Sequence, residues 1–289
     1  MEYFAPKSLS EALSLLDRYN GEAKVIAGGT DVLVDIKYKE EPGCLINIKA
    51  ISGLAGIEEN AGGIAIGPLT TIRAIETSAL VREKLPVLWE AAHQFASLQI
   101  RNTATIGGNI CRASPSGETL APLLVLEAKA KLAFSGKEIS APFTSFFAGP
   151  GKTALGSKGI LTGIEIPYPA AGSRGAYLKH AVRGAMDIAM VGVAVIITPD
   201  AAKKSLQDVR IGLGAVAPTP LRAAKTEALL RGKTPTAALI KEAAASAAAE
   251  ASPIDDQRSS AEYRRWIVEA LTRRGLAQTW QAATGKEAV

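Results

Sequence analysis

Two adjacent glycines followed by a short polar residue occur twice in this chain, in KVIAGGTDVLVDIK (residues 24–37) and in TIGGNICRASPSGE (residues 105–118). Paired glycines suit a backbone that must take positive φ or lie against another backbone, because each one otherwise costs ordering entropy. Amides left free at such a turn and at the helix start behind it form a site for an anion. A diphosphate carries two anionic phosphates, so two such turns facing each other could clamp one from both sides. A single Gly-Gly turn is equally what a tight turn without a ligand uses. The pair, each between an apolar strand pattern and a helical one, points to one shared ligand.

Other chemistry is sparse. Neither turn is the G-x-G-x-x-G fingerprint of a Rossmann nucleotide site. GPGKT at residues 149–153 mimics the end of a Walker A loop, but Phe146 stands where that loop needs its first glycine. His93 and His180 have no metal-ligand spacing, and His93 reads as a satisfied helix residue. No G-x-S-x-G nucleophile elbow is present. Cys44 and Cys111 are the only cysteines, too few for an iron–sulfur cluster or a cysteine-rich zinc site, and both read as buried thiols. The expectation is a binding chain with no catalytic side chain and no metal site.

The elements that must position the turns follow from periodicity. Ser8 and Glu11 form a capping box for a helix to about Arg18, which Asn20-Gly21 stops. KVIA reads as a buried strand, Thr30 or Asp31 as the cap of a helix over DVLVDIKYK, and CLINI as a returning strand. A second unit begins near Ser52 with GGIAIGPLTT and runs through helical LPVLWEAAHQFASL to the second turn. Helical TLAPLLVLEA and the strands AKLAF and GILTGIEIPYP follow. Beyond Gly175 the β-rich runs AYLKHAV, IAMVGVAVIIT and LQDVRIGLGAVA predict three antiparallel strands. Helices are expected at Leu221–Leu230, Thr236–Ala251 and Ser260–Arg274. The fold class is α+β, with a first domain over 1–175 (parts 1–52 and 53–175) and a second over 176–289.

With 289 residues, 47% of them hydrophobic and 21% charged, the chain can fill two cores. Its net charge of +5 is scattered, which argues against nucleic-acid binding. No apolar run is long enough for a membrane span, and the first residues lack the pattern of a signal peptide, so a cytoplasmic protein is expected.

The segments AGGTD, TIGGNICRASPSGE, GILTGIEIPYP, YLKHAVRGAMDIAMVGVAV, IGLGAVAPTPLRAAKTEALLRG and SPIDDQRSSAEYRRWIVEALTRR, in this order over nearly the whole chain, resemble the FAD-binding subunits of molybdenum hydroxylases. That family is related to the flavin domain of xanthine dehydrogenase and the medium subunit of carbon monoxide dehydrogenase. The resemblance implies a two-part FAD-binding domain of the PCMH/VAO-like type and a C-terminal domain of three antiparallel strands packed with helices. It also implies that the first turn (Ala27, Gly28, Gly29, Thr30, Asp31) and the second (Thr105, Ile106, Gly107, Gly108, Asn109) hold the FAD pyrophosphate. Their expected donors are the backbone amides of Gly28, Gly29, Gly107 and Gly108. Ser114 and Glu118 fall beside the adenosine half, with further contacts at Phe95 and Leu161. Lys179 matches a lysine near the flavin, and Asp187 and Ile188 match the segment beside the isoalloxazine. Relatives often have Asp at the place of Glu118 and some have Tyr at that of Ile188, where an aliphatic side chain shields the ring without stacking on it.

The same resemblance implies a division of labour. A large subunit would carry molybdopterin and substrate, a small one two [2Fe–2S] clusters, and this chain the FAD that passes electrons to NAD, a quinone or oxygen, in a dimer of heterotrimers. The cysteine-bearing insertion of the 4-hydroxybenzoyl-CoA reductase flavin subunit is missing, so no additional [4Fe–4S] cluster is expected. Two other readings stay open from sequence: a self-contained FAD-dependent reductase, and an assembly module that binds the dinucleotide without redox turnover.

Overall fold

The first fifty residues build a small parallel sheet in which Cys44–Asn47 lies between Glu2–Phe4 and Ala23–Ile26. Ser8 starts the helix Leu9–Tyr19 by accepting the Glu11 amide at 3.2 Å, and Glu11 reaches back to the Lys7 amide at 3.0 Å. Asn20, in the left-handed conformation, ends it. The apolar face Ala12, Leu13 and Leu16 packs on Cys44 and Ile46. The computed structural model describes residues 1–38 and 41–288, so the last residue expected in the second helix, Lys39, lies outside the described residues.

The second unit is a five-stranded antiparallel sheet in the order Ile57–Asn60, Gly63–Ile66, Ile160–Pro167, Lys129–Phe134, Lys137–Pro142. Its central strand, Ile160–Pro167, comes last in sequence, after the helices that pack in the same core. The continuous helix expected across residues 85–98 is broken. Pro86–His93 stops, Ala96 takes a φ of +39°, and Ser97 caps a separate helix, Leu98–Thr103, by accepting the Ile100 amide. GPGKT falls at a small hairpin, Phe147–Gly149 with Lys152–Thr153, rather than at the start of a helix.

The third sheet is an antiparallel meander, Arg174–His180, Val191–Pro199, Leu206–Gly214 and a short fourth strand, Leu221–Arg222. That fourth strand occupies the start of an expected helix, which begins instead at Ala224. Pro218 and Pro220 keep a helix from starting earlier, since proline disfavours helical conformation in the residue before it. All nine residues of Val191–Pro199 are buried, and the period-2 alternation of a strand explains how. Val191, Val193, Val195 and Ile197 face the C-terminal helices, while Ala194 and Ile196 join the core of the second unit. The sheet is therefore packed on both faces.

The final helix runs over Ala261–Thr284, ten residues past the expected stop at Arg274. Gly275 is not a terminator but a point of close approach: a Cβ there would lie 3.0 Å from Val195 Cγ2 and 3.2 Å from Leu178 Cδ1. Among the described residues, no helix is long and apolar enough to cross a membrane.

Because Ile196 carries the third sheet into the core of the second unit, Ile196→Ala is expected to destabilise the whole chain by about 2–5 kcal/mol. Urea unfolding followed by circular dichroism and by tryptophan fluorescence should give one coincident transition, shifted to lower urea. Two separated midpoints would mean that the units unfold independently.

Candidate functional site

The strand Ala23–Ile26 delivers the first glycine turn to its place, and the helix Val32–Tyr38 leaves it. At Gly28 the chain touches the segment that precedes the second turn. A Cβ on Gly28 would sit 2.1 Å from the Thr103 carbonyl oxygen and 3.1 Å from Ala104 Cα, so only glycine lets the two backbones meet. Gly29 takes a φ of +76°, a second reason for glycine. The amides of Gly28, Gly29, Thr30 and Asp31 have no acceptor among the described residues. Neither Thr30 nor Asp31 caps the helix with its side chain; the Leu33 amide closes the first helical turn on the Gly29 carbonyl at 3.0 Å. With only seven residues in the described helix, the capacity for an anion rests on the loop amides rather than on a long helix dipole.

The second turn is built differently. Thr105 caps the helix Ile106–Arg112, and its Oγ1 accepts the Gly108 amide at 3.0 Å. The Ile106, Gly107 and Asn109 amides donate to the carbonyls of Thr70, Pro68 and Thr105 at 3.0, 2.9 and 3.0 Å. The expected donor role of the Gly107 and Gly108 amides is thus corrected: the fold has already used both. What the glycines supply is space. A Cβ on Gly107 would lie 2.5 Å from Pro68 Cβ, which explains that glycine by packing. Gly108 is exposed, and a Cβ there would meet, among the described residues, only Thr105 Oγ1, at 3.0 Å, so it presents bare backbone to open space. Asn109 accepts the Thr119 hydroxyl at 2.7 Å and fixes the loop that carries Ser114 and Glu118. Ser114 Oγ pairs with Ser116 Oγ at 3.0 Å.

Across from the turns stands a buried ion pair. Tyr177 and Lys179 share one face of their strand, and Tyr177 belongs to the second unit's core, so Lys179 projects into the crevice between the units. Its ammonium donates to Glu118 Oε1 at 2.9 Å, the Gln94 carbonyl at 3.2 Å and the Asp187 carbonyl at 2.8 Å, which satisfies all three of its protons. The Lys179 and Glu118 side chains are only 7% and 10% exposed. Burial pushes the Glu118 carboxyl above its ordinary pKa despite Lys179, and the negative charge of Asp31 adds to the rise.

The remaining predicted residues divide. Phe95 and Leu161 are 8% and 3% exposed and belong to the core, with Leu161 beside a bulge in its strand. Asp187 turns its carboxylate into its own hairpin loop, where it accepts the Arg183 and Ile188 amides at 2.7 and 3.0 Å, and these bonds hold its pKa below the usual range. Ile188 stays exposed, as do Val182 and Met186 in the same loop. Sequence reasoning missed Gln94, whose contribution is a carbonyl and leaves no side-chain signal. It also missed Arg112, which pairs with Asp35 and approaches Asp31. An arginine one turn beyond a Gly-Gly pair is the only trace of that contact in the sequence.

A family profile described as "FAD binding domain in molybdopterin dehydrogenase" matches residues 1–169, and one described as "CO dehydrogenase flavoprotein C-terminal domain" matches residues 176–279. The chain belongs to the FAD-binding medium subunits of the molybdenum hydroxylase family. It is 34% identical to the carbon monoxide dehydrogenase medium chain of Hydrogenophaga pseudoflava over 280 residues, 96% of each chain. It is 31% identical to the xanthine dehydrogenase FAD-binding subunit of Escherichia coli O157:H7, over 98% of this chain and 97% of that one. A solved structure of the Hydrogenophaga pseudoflava carbon monoxide dehydrogenase, in a form lacking the Mo-pyranopterin moiety of its molybdenum cofactor, superposes with a TM-score of 0.94 over 98% of both chains. The family cofactor is FAD, and the relatives are dehydrogenase subunits, so the chain is part of an oxidoreductase. The residues present fit such a group: the amides of Gly28 to Asp31 have no acceptor among the described residues, and exposed Gly108 leaves a space that a side chain would fill.

Removing Lys179 would leave the Glu118 carboxylate buried without its counter-charge, so Lys179→Met is expected to lower stability by roughly 3–5 kcal/mol at neutral pH. The raised folded-state pKa of Glu118 fixes the sign of the pH dependence. Its contribution is complete below the unfolded-state pKa and is lost as pH rises through the folded value. The defect should therefore shrink as pH falls from neutral toward the ordinary glutamate range. Lys179→Met/Glu118→Gln should recover most of it at neutral pH, as read by denaturant midpoints at stepped pH.

Proposed function

We propose that this chain holds FAD as the electron-transfer centre of a multi-subunit molybdenum hydroxylase, between the [2Fe–2S] clusters of a small partner and NAD, a quinone or oxygen. A large partner would carry molybdopterin and the substrate site, in a cytoplasmic dimer of heterotrimers. The observation that supports the reading is the backbone contact of Gly28 with Thr103 and Ala104, immediately before the second turn, together with amides from Gly28 to Asp31 that have no acceptor among the described residues.

In this reading the chain binds and positions rather than reacts. The amides of Gly28, Gly29, Thr30 and Asp31 hold the diphosphate, with Ala27 leading into their turn. Thr105, Ile106, Gly107 and Asn109 keep Gly108 presented to it. Ser114, Glu118, Phe95 and Leu161 shape the adenosine side. Lys179 gathers the Gln94, Glu118 and Asp187 segments at one point and brings a fixed positive charge to the flavin side, and Ile188 shields the ring. Bound FAD supplies both one- and two-electron redox chemistry, so no side chain of this chain has to act as acid or base. The medium-chain and FAD-binding-subunit relatives support the division among partners. They belong to enzymes for different substrates, in keeping with substrate choice residing on another subunit.

The test begins with the absorbance spectrum of the purified chain and of the chain mixed with its partner subunits. Stoichiometric FAD, reduced when the substrate of the assembled complex is added, is the expected result. FAD that stays oxidised in a complex whose iron–sulfur clusters become reduced would leave only a structural role for the dinucleotide.

Two glycine variants separate fold from site. Gly108→Leu should fold with stability within about 1 kcal/mol of the parent, because leucine is the better helix former, yet lose FAD. Gly28→Ala must push two backbones apart, so it should lower stability by roughly 1–3 kcal/mol and lose FAD as well. Thermal melts and flavin content on the same preparations distinguish the two patterns.

A further inference from the structure

The helix that follows the first glycine turn has little hydrophobic reason to lie where it does. Val32–Tyr38 contains no buried residue, and Leu33, Val34 and Tyr38 are 56%, 53% and 72% exposed. A surface helix is ordinarily held by an apolar stripe against the core, and one this short is marginal on its own. Yet its start carries the free amides of the crevice.

Two contacts from elsewhere in the fold bear on it. The backbone packing at Gly28 fixes the turn from below. The other contact comes from the helix after the second turn, where the Arg112 guanidinium grips the Asp35 carboxylate with both terminal nitrogens, Nη1 on Oδ2 and Nη2 on Oδ1 at 3.3 Å. Its Nε lies 3.4 Å from Asp31 Oδ1, inside the turn itself. The Arg112 and Asp35 side chains are only 37% and 29% exposed, which spares the pair part of the screening that weakens open surface pairs.

We infer that Arg112 is a positioning residue for the cofactor: acting through Asp35, it ties the helix of the first glycine turn to the helix of the second and so sets the spacing of the diphosphate cradle. This inference rests on the FAD reading above. Arginine suits the task because its planar fork engages a carboxylate at two points and resists rotation, whereas lysine offers the charge without the fork. Arg112 and Asp35 are 77 positions apart in sequence, so the tether acts on tertiary spacing rather than on local helix content.

The experiment is a double-mutant cycle on FAD affinity in the full chain, with Arg112→Ala, Asp35→Ala and the double variant, read by quenching of flavin fluorescence as FAD is titrated into apoprotein. Arg112→Ala and Asp35→Ala should each weaken FAD binding by about tenfold, and the double variant no more than the weaker single, because both remove one interaction. Arg112→Lys should bind between wild type and Arg112→Ala. It keeps the charge and serves as the measurement if the alanine variant does not fold. Apoprotein melts should change little, since a helix with no fully buried residue, only Val32 and Ile36 of its apolar side chains being half-buried, contributes little to global stability. Wild-type affinity in Arg112→Ala would overturn the inference, as would additive losses in the double variant, which would mean that Arg112 meets the ligand directly. Failure of the wild-type chain itself to bind FAD would instead overturn the reading on which the inference stands.

Discussion

Everything in the crevice depends on two backbones touching. At Gly28 the first turn lies on Thr103 and Ala104 at a distance that no side chain allows, and the second turn starts at the very next residue. Hydrogen bonds alone could not impose this register, because the amides of the first turn bond to nothing among the described residues and those of the second are consumed by Pro68, Thr70 and Thr105. Steric permission therefore comes first and polar chemistry second. Unpaired backbone donors at a folded turn carry a desolvation cost that only water or a ligand relieves, and a diphosphate relieves several at once.

The C-terminal sheet closes the other side of the same crevice. Its strand Val191–Pro199 is apolar on both faces because it has two cores to serve, and its neighbour Arg174–His180 inherits the same orientation. Tyr177 anchors that neighbour in the second unit's core, and two residues later Lys179 emerges where the core ends. A lysine surrounded by apolar packing needs three acceptors, and it finds them on three separate loops. The ion pair is thus better understood as a fastener of loop geometry than as a source of stability, since burying two charges consumes much of what their attraction returns.

The glycine pairs, the strand segments and the last helices are legible in the sequence because each has a local cause, whether a steric requirement, a period-2 pattern or helix-forming composition. What escapes is what depends on tertiary distance. Gly275 reads as a helix stop by local rules, yet it is the residue that lets the final helix approach Val195 and Leu178. Leu221 and Arg222 read as helix but pair with the sheet after two prolines. The amides of Gly107 and Gly108 look free in a linear view, and only the folded chain brings Pro68 and Thr105 to them. In the site, residue types that carry charge, Lys179 and Glu118 among them, are traceable in sequence through resemblance. The carbonyl of Gln94 is not, since every residue has one.

The same asymmetry explains why the chain reveals a cofactor but no substrate. What the described residues show at the glycine turns and at Lys179 is permitted backbone contacts and a buried charge pair. In the proposed reading a short helix with no fully buried residue, a glycine face left open and a lysine saturated by two loop carbonyls and a carboxylate all serve position. Electron transfer asks a protein for placement and electrostatics more than for reactive groups. In the proposed reading, a chain devoted to that task keeps one architecture beside partners that differ in substrate, in line with its full-length likeness to subunits of carbon monoxide and xanthine dehydrogenases.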